Sequence, residues 1–296
     1  MKDPILISMD TKLTENSFNF IKTLTYKEWN FKIIGTNLEW KGFINRMETY
    51  LDELKTLDKN QICILSDARD VLCLRSPKHF NSKFLEFNSN IVVSGEMICG
   101  GYSDIKYYEL DPSYKNSKLY NCYPMHNFWK EKGYDVNNLP NRKYLNAGLI
   151  SGYCFALIEM LEWSITKAKE LGINDDQYIM GMYIDQNPKN ITVDVDAELL
   201  HSSVFGATAG ILNRNQSQDS PTISEIIGKS AFFLHLPGCG LTQGNGMIYE
   251  MVWSLLKDNK FNNRELLKIY GIDEDSLKYD WYQEEYLDKI SKKDLE

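Results

Sequence analysis

Strand and helix patterns alternate over the N-terminal part of the chain, and this alternation restricts the fold more than any other feature. Pro4 to Met9 and Asn30 to Ile34 have the short apolar runs of buried strands, and each precedes a segment of helical spacing. The helices are predicted over Asn16 to Leu24 and Phe43 to Leu57, with a third strand over Gln61 to Leu65. This order predicts a doubly wound parallel sheet of the α/β class.

Similar patterns continue along the chain. The predicted elements are a helix after Pro77, a strand over Ile91 to Val93 that ends in Ser94-Gly95-Glu96, a strand over 144–150, helices over 153–171 and 177–185, and strands over 191–195 and 231–234. The range 100–142 lacks periodicity and is rich in Tyr, Asn, Gly and Pro, which is typical of a functional loop. We expect one domain over 1–245 and a helical extension over 246–296 packed on it.

An acidic turn follows the third strand directly and contains Asp67 and Asp70. Open α/β sheets bind ligands at the carboxyl ends of their strands, where both side chains are expected. Carboxylates in such a place most economically bind a hard divalent cation such as Mg²⁺ or Mn²⁺, which bridges protein and substrate phosphates.

His235 ends the last predicted strand and opens a loop in which Gly238 and Gly240 allow the backbone to approach a phosphate. Together with Asp67 and Asp70 it makes a plausible Mn²⁺ shell. If the sheet is parallel, Glu96 and the turn Asn146-Ala147-Gly148 lie at the same edge.

Two further segments have both a structural and a functional interpretation. Asp175 and Asp176 stand where a helix begins, so they are either an N-cap with an acid that favours the helix dipole, or groups that contact substrate or act as base or nucleophile. Trp40 either stacks on a nucleobase, with Lys41 reaching a phosphate, or is a packing anchor.

Composition excludes some classes of protein. The 41 acidic and 33 basic residues give a net charge of -8, which disfavours general affinity for nucleic acid. No run of eighteen apolar residues and no secretory signal pattern occurs, so we expect no membrane association.

The six cysteines form no zinc-binding spacing, and Cys63 and Cys154 lie in apolar runs, so these two are interpreted as small buried hydrophobes. Reduced thiols are the preferred interpretation of all six, and the alternative is three disulfides. Reduced thiols favour the cytoplasm. High Asn, Lys, Ile and Tyr content indicates an AT-rich genome, such as that of a protist, a low-GC bacterium or a large DNA virus. For a viral protein the compartment would be the host cytoplasm.

Several motifs occur in the order found in the glycosyltransferase domain of the procollagen lysyl hydroxylases, which hydroxylate and glycosylate collagen lysines. The chain resembles this family from Ile5 to about Thr242. The motifs are Ile7-Ser-Met-Asp-Thr11, Asp67 to Asp70 with Val71 and Ser76-Pro77, Ser94-Gly95-Glu96, Leu145 to Gly152, Asp175-Asp-Gln177, and the loop at His235.

The resemblance implies a Rossmann-like fold of the GT-A type, with a mostly parallel central sheet flanked by helices, that uses Mn²⁺ and a UDP-sugar. It implies that Asp67, Asp70 and His235 hold the metal. Thr11 and Trp40 would contact uridine, with Lys41, Asp67, Gly238 and Gly240 also on the donor. Asp175 and Asp176 would face the transferred sugar, with Glu96 and Asn146 in the catalytic set.

The chain departs from the family pattern at three places. Arg69 replaces an aromatic residue that sandwiches the base. The glycine-rich loop after the tryptophan is nearly absent, which leaves open whether Lys41 replaces the lysine beyond it. The lysine expected after the late histidine is missing, with Gln243 nearby.

The expected activity is transfer of glucose from UDP-glucose to galactosyl-hydroxylysine, or to hydroxylysine, of a collagen-like polypeptide. The range 100–142 is where we expect this acceptor to bind. The alternatives are transfer of galactose from UDP-galactose, a catalytically silent fold that binds glycans or collagen, and a phosphohydrolase with an Asp nucleophile. C-terminal aromatic residues are interpreted as packing or as a homodimer contact, namely Tyr279, Trp281, Tyr282 and Tyr286.

Overall fold

The computed structural model describes residues 2–96, 125–135, 138–202 and 231–237. A six-stranded sheet lies at its centre, in the order β2-β1-β3-β6-β5-β7. Its strands are β1 (Ile5–Met9), β2 (Asn30–Ile34), β3 (Ile62–Ser66), β5 (Ile91–Glu96), β6 (Tyr144–Tyr153) and β7 (Ile191–Asp194). A second sheet, in the order β4-β9-β8, contains β4 (Val71–Cys73), β8 (Leu200–Ser202) and β9 (Phe233–His235).

Helices cover both faces of the central sheet. They are α1 (Glu15–Tyr26), α2 (Phe43–Leu54), α3 (Phe80–Glu86), α4 (His126–Glu131), α5 (Cys154–Leu171) and α6 (Asp176–Gln186), with single 3-10 turns at Pro77–His79 and Pro188–Asn190. The helix α4 lies within the range 100–142 that we expected to be irregular, so that expectation is wrong for this part of it. Its six residues are too few to give a clear period.

Successive side chains of the central strands point to opposite faces and enter two hydrophobic clusters. On β1, Ile5 and Ile7 pack with Met47 of α2 on one face. Leu6 packs on the other face with Phe20 of α1 and with residues of the second sheet. Both faces of β1 are therefore buried, which explains its continuous apolar sequence.

The central sheet is mostly parallel, as expected, with β6 as the exception. β1 pairs in parallel with β2 and β3, and β5 pairs in parallel with β7. β6 lies between β3 and β5 and runs antiparallel to both. The prediction of a mostly parallel central sheet, with the α/β architecture expected of a GT-A fold, is therefore confirmed.

Asn146, Ala147 and Gly148 lie inside β6 and do not form a turn, which corrects the sequence interpretation. Asn and Gly are common in turns, which explains why the sequence indicated one here. The pairing of β6 with β5 passes from Val93↔Ile150 to Ser94↔Asn146, so β6 has a bulge at this point. Bulges of this kind redirect side chains and are common beside active sites.

His235 ends β9, which belongs to the second sheet and not to the edge of the central one. The strands β4 and β8, which flank β9, were not predicted because three residues show no alternation. No described helix is both long and apolar enough to span a bilayer.

Three cysteines, Cys63, Cys73 and Cys154, are buried with free thiols in the part of the chain that the structure covers. The predicted extension over 246–296, the loop glycines Gly238 and Gly240, and most of the range 100–142 lie outside the described residues.

Candidate metal and donor site

The three predicted metal ligands come together beside the end of β3. Asp67 directly follows β3, and Asp70 directly precedes β4. The pairing of Val71 with His235 brings the imidazole next to Asp70, and the amide of Leu236 donates to the Asp70 carbonyl at 2.8 Å. One ligand atom from each of the three side chains lies within 4.8 Å of the others, as a cation site requires.

Hydrogen bonds fix the imidazole of His235. Its Nδ1 lies 2.8 Å from Oδ1 of Asn146, and the same oxygen accepts a bond from the amide of Gly148 at 2.9 Å. The amide nitrogen of Asn146 donates to Glu96, so Oδ1 is the acceptor on both counts. Nδ1 of His235 therefore carries a proton, and Nε2 is the atom that faces the two carboxylates.

Nε2 of His235 lies 3.3 Å from Asp70 Oδ1 and 3.5 Å from Asp67 Oδ2. It is buried and has no partner of hydrogen-bond geometry within the described ranges. A buried imidazole nitrogen without a hydrogen bond, beside two carboxylates, is the donor set of a divalent cation. The residues present therefore fit a bound metal ion.

The carboxylates around His235 also affect the protonation of its imidazole. Burial by itself would lower the pKa of His235, but the nearby carboxylates of Asp70, Asp67 and Glu96 raise this pKa above its ordinary value. The site therefore favours positive charge at this position, and a divalent cation would meet the same attraction.

Gly148 gives the site the space it needs. A Cβ atom at this position would lie 2.7 Å from Asp67 Oδ2 and would overlap the ring of His235. The bulge in β6 places this residue against both side chains. The glycine that resembled a turn signal is therefore required by close packing.

Glu96 and Asn146 lie behind His235. The Glu96 carboxylate is 2% exposed and accepts bonds from Asn146, from Gln177 at 3.4 Å and from Ser202 at 3.5 Å. Burial raises the pKa of Glu96 to about 7. Both predicted residues are thus close to the metal ligands, and their described contacts orient the imidazole.

The second acidic pair is also buried. Asp175 is the N-cap of α6, and its side chain accepts a bond from the amide of Tyr178 at 2.9 Å, so the capping interpretation is confirmed. Burial, together with the charge of Asp176, raises the pKa of Asp175 to about 7. Asp176 occupies the first turn of α6 and points toward α2.

Arg46 joins the two acidic groups, and sequence reasoning missed it. Its Nε donates to Oδ2 of Asp176 at 2.9 Å, and its Nη1 makes a close ion pair with Oδ1 of Asp67. Burial lowers the pKa of Arg46, but the two carboxylates outweigh it and raise this pKa overall. The helical spacing could have indicated that Arg46 is buried, because it lies one turn before the buried Tyr50 on the same face of α2.

The predicted nucleotide contacts border this site. Thr11 is half-buried just after β1, Lys41 is exposed, and Trp40 is 47% exposed with its ring edge-on to Phe43. The side chain of Asn174 accepts a bond from the amide of Ile44 at 3.1 Å. The segment with Trp40 and Lys41 is thus adjacent to the start of α6 and its two acids.

Arg69, the residue that departs from the family pattern, binds the end of β1. Its Nη2 donates to Asp10 Oδ1 at 2.8 Å and to the Lys12 carbonyl at 3.0 Å. The guanidinium therefore lies next to Thr11, where the resemblance implies an aromatic ring beside the base.

Solved structures with low similarity include three glycosyltransferases. One is involved in the glycosylation of the major capsid of PBCV-1, with 14% identity, a TM-score of 0.47, and 84% of this chain and 100% of that chain covered. Mouse xyloside xylosyltransferase 1 has 11% identity, a TM-score of 0.40 and coverages of 78% and 96%. The bifunctional glycosyltransferase WbbM has 11% identity, a TM-score of 0.43 and coverages of 86% and 51%.

No curated protein sequence matches the chain. The family model described as the PLOD GT domain matches residues 2–122, a range that includes Asp67 and Asp70. The resemblance to the glycosyltransferase domain of the procollagen lysyl hydroxylases is therefore confirmed over this range, and it supports glycosyltransferase activity for the chain.

Proposed function

We propose that this protein is a Mn²⁺-dependent glycosyltransferase that moves glucose from UDP-glucose to galactosyl-hydroxylysine, or to hydroxylysine, of a collagen-like polypeptide. The observation that carries the proposal is the buried Nε2 of His235, which has no hydrogen bond within the described residues and faces the carboxylates of Asp67 and Asp70. The family match over residues 2–122 supports the same class of reaction.

Asp67, Asp70 and His235 would hold the metal ion. When bound, Mn²⁺ neutralises the negative charge that develops on the diphosphate as it leaves. Thr11 and Trp40 would contact the uridine, and Lys41 would reach the diphosphate. Gly238 and Gly240 are proposed to contact the phosphates as well, from a loop outside the described residues.

Asp175 and Asp176 would face the transferred sugar. The guanidinium of Arg46, which bridges Asp176 and Asp67, supports this, because it brings the start of α6 beside the proposed metal ligands. In the transfer, the acceptor hydroxyl oxygen forms a bond to the anomeric carbon of glucose. The bond between that carbon and the diphosphate oxygen breaks, UDP leaves, and the hydroxyl proton is released. Glu96 and Asn146 would support this step by orienting His235.

The contacts of Asp67 disfavour the phosphohydrolase alternative. A nucleophilic carboxylate needs a free oxygen directed at the substrate phosphorus. In this protein Oδ1 of Asp67 is paired with Arg46, and Oδ2 lies against His235 and Gly148. Oδ1 is thus held in the ion pair and Oδ2 faces the candidate metal site, which favours a ligand role for Asp67 over a nucleophilic one.

We also propose that residues 1–245 form the catalytic domain and that 246–296 pack on it. The proposed acceptor wall is the range 100–142. We likewise propose a homodimer contact through the C-terminal aromatic residues and a location in the cytoplasm.

The test is UDP release from a panel of UDP-sugars with Mn²⁺, with and without a galactosyl-hydroxylysine peptide. Acceptor-stimulated release from UDP-glucose alone would support both the activity and the donor, and release from UDP-galactose alone would reassign the donor. Tight binding of UDP and Mn²⁺ without release in any combination would favour another acceptor or a silent binding protein.

A further inference from the structure

One guanidinium lies between the metal ligands and the second acidic pair. Nη1 of Arg46 contacts Oδ1 of Asp67, and Nε and Nη2 both donate to Oδ2 of Asp176. The side chain of Arg46 is only 10% exposed. Since Arg46 and Asp176 are 130 residues apart in sequence, the arginine is a direct link between α2 and α6.

The two oxygens of Asp67 have different partners. Oδ1 is held by Arg46, whereas Oδ2 lies 3.5 Å from Nε2 of His235. A planar carboxylate that is held at one oxygen has little freedom to turn the other, so the ion pair determines which oxygen faces the metal site.

Arg46 is itself held in place. Its guanidinium lies 5.2 Å from the ring centroid of Phe43, and the start of α2 is bound by the side chain of Asn174, whose Oδ1 accepts from the amide of Ile44. A rigid fork of donors can bind two carboxylates at once, whereas a lysine ammonium acts as a single flexible point charge.

We propose that Arg46 is a positioning residue for the metal site, and this inference rests on the proposed function above. It holds Asp67 so that Oδ2 faces the cation, and it holds Asp176 in a fixed relation to that carboxylate. Charge alone predicts the opposite effect, because a guanidinium repels a nearby cation and its removal would strengthen metal binding. The sign of the change in Mn²⁺ affinity therefore separates positioning from simple electrostatics.

The experiment is a titration of the full chain with Mn²⁺, in which the free ion is followed by electron paramagnetic resonance. The variants are Arg46→Gln and Arg46→Lys. The control is Lys169→Gln, which removes a surface ion pair, Nζ to Glu48 Oε1 at 2.6 Å, between α5 and the same helix α2. Near-ultraviolet circular dichroism checks that each variant is folded.

We expect the Kd for Mn²⁺ to rise at least fivefold in Arg46→Gln, to rise less in Arg46→Lys, and to stay unchanged in Lys169→Gln. If Arg46→Gln does not fold, a weaker affinity in the folded Arg46→Lys protein still supports the proposal.

Unchanged or stronger binding in the folded Arg46 variants would overturn the positioning role and leave the metal site standing. A native protein that binds no Mn²⁺, or whose binding survives Asp70→Ala, would overturn the proposed function and this inference together.

Discussion

Oδ1 of Asn146 lies 2.8 Å from Nδ1 of His235 and also accepts the amide proton of Gly148. The asparagine thus fixes the tautomer of the imidazole and directs Nε2 to the carboxylates of Asp67 and Asp70. The two residues come from strands of different sheets, so the candidate metal site depends on the way these sheets meet.

Replacing Asn146 by Ala should weaken Mn²⁺ binding by about 10 to 100-fold, because His235 loses the acceptor that orients it. The affinity is measured by calorimetric titration. Asn187→Ala is the matched control, since its side-chain amide bonds only the carbonyl of Tyr183 among the contacts described for it. Equal Mn²⁺ affinities for Asn146→Ala and the native protein would contradict the orienting role.

Replacing Asp70 by Asn should reduce Mn²⁺-dependent UDP release by roughly 100-fold or more, because a neutral amide is a poor ligand for a hard cation. Steady-state release of UDP from UDP-glucose measures the effect. The exposed Asp52 on α2 provides a control of the same chemistry, and Asp52→Asn should keep native activity. A folded Asp70→Asn protein with full turnover would remove Asp70 from the ligand set.

Replacing Gly148 by Ala should abolish measurable Mn²⁺ binding and lower the free energy of unfolding by about 1–3 kcal/mol, since overpacking a filled site forces side chains to move. The added Cβ would lie 2.7 Å from Asp67 Oδ2 and against the ring of His235. Urea unfolding and a Mn²⁺ titration check the two effects. Ser151→Ala, in the same strand, should leave Mn²⁺ binding unchanged, and native binding by Gly148→Ala would contradict the packing argument.

The stability of the protein should depend on pH through Glu96. Its pKa is raised from 4.5 to about 7 by burial, so the folded state holds a proton that the unfolded state has lost between these values. The contribution of Glu96 to the free energy of unfolding is therefore fully present below about pH 4.5, and it is lost as the pH rises toward 7.

Glu96→Gln removes this titration, because glutamine stays neutral. Urea unfolding at pH 5 and pH 7.5 measures the effect. At the higher pH, the free energy of unfolding of Glu96→Gln should exceed that of the native protein by up to about 3 kcal/mol. The exposed Glu86→Gln is the control and should show no such change. A constant difference between Glu96→Gln and the native protein would show that Glu96 does not titrate in this range.

Periodicity alone was enough to predict the first strands and helices, because each buries a regular face along its own length. The sequence also indicated Asp67, Asp70 and His235, since the two aspartates lie in the turn after one apolar run and the histidine ends another. The direction of β6 and the ion pairs of Arg46 depend on partners far away in sequence, Ser66 and Asp176 among them. Such pairings leave no local pattern, so they appear only in the folded chain.

The bulge in β6 has a consequence for how this fold can change over time. Between Asn146 and Ile150 the strand advances four residues, while its neighbour β5 advances only one, from Ser94 to Val93. Gly148, which contacts Asp67 and His235, is one of the extra residues of β6 in this bulge. A deletion here would leave fewer extra residues against β5, shift β6 against its other neighbour β3, and remove the space at the candidate cation site. A single deletion could thus remove metal binding from a related chain that keeps the same strands.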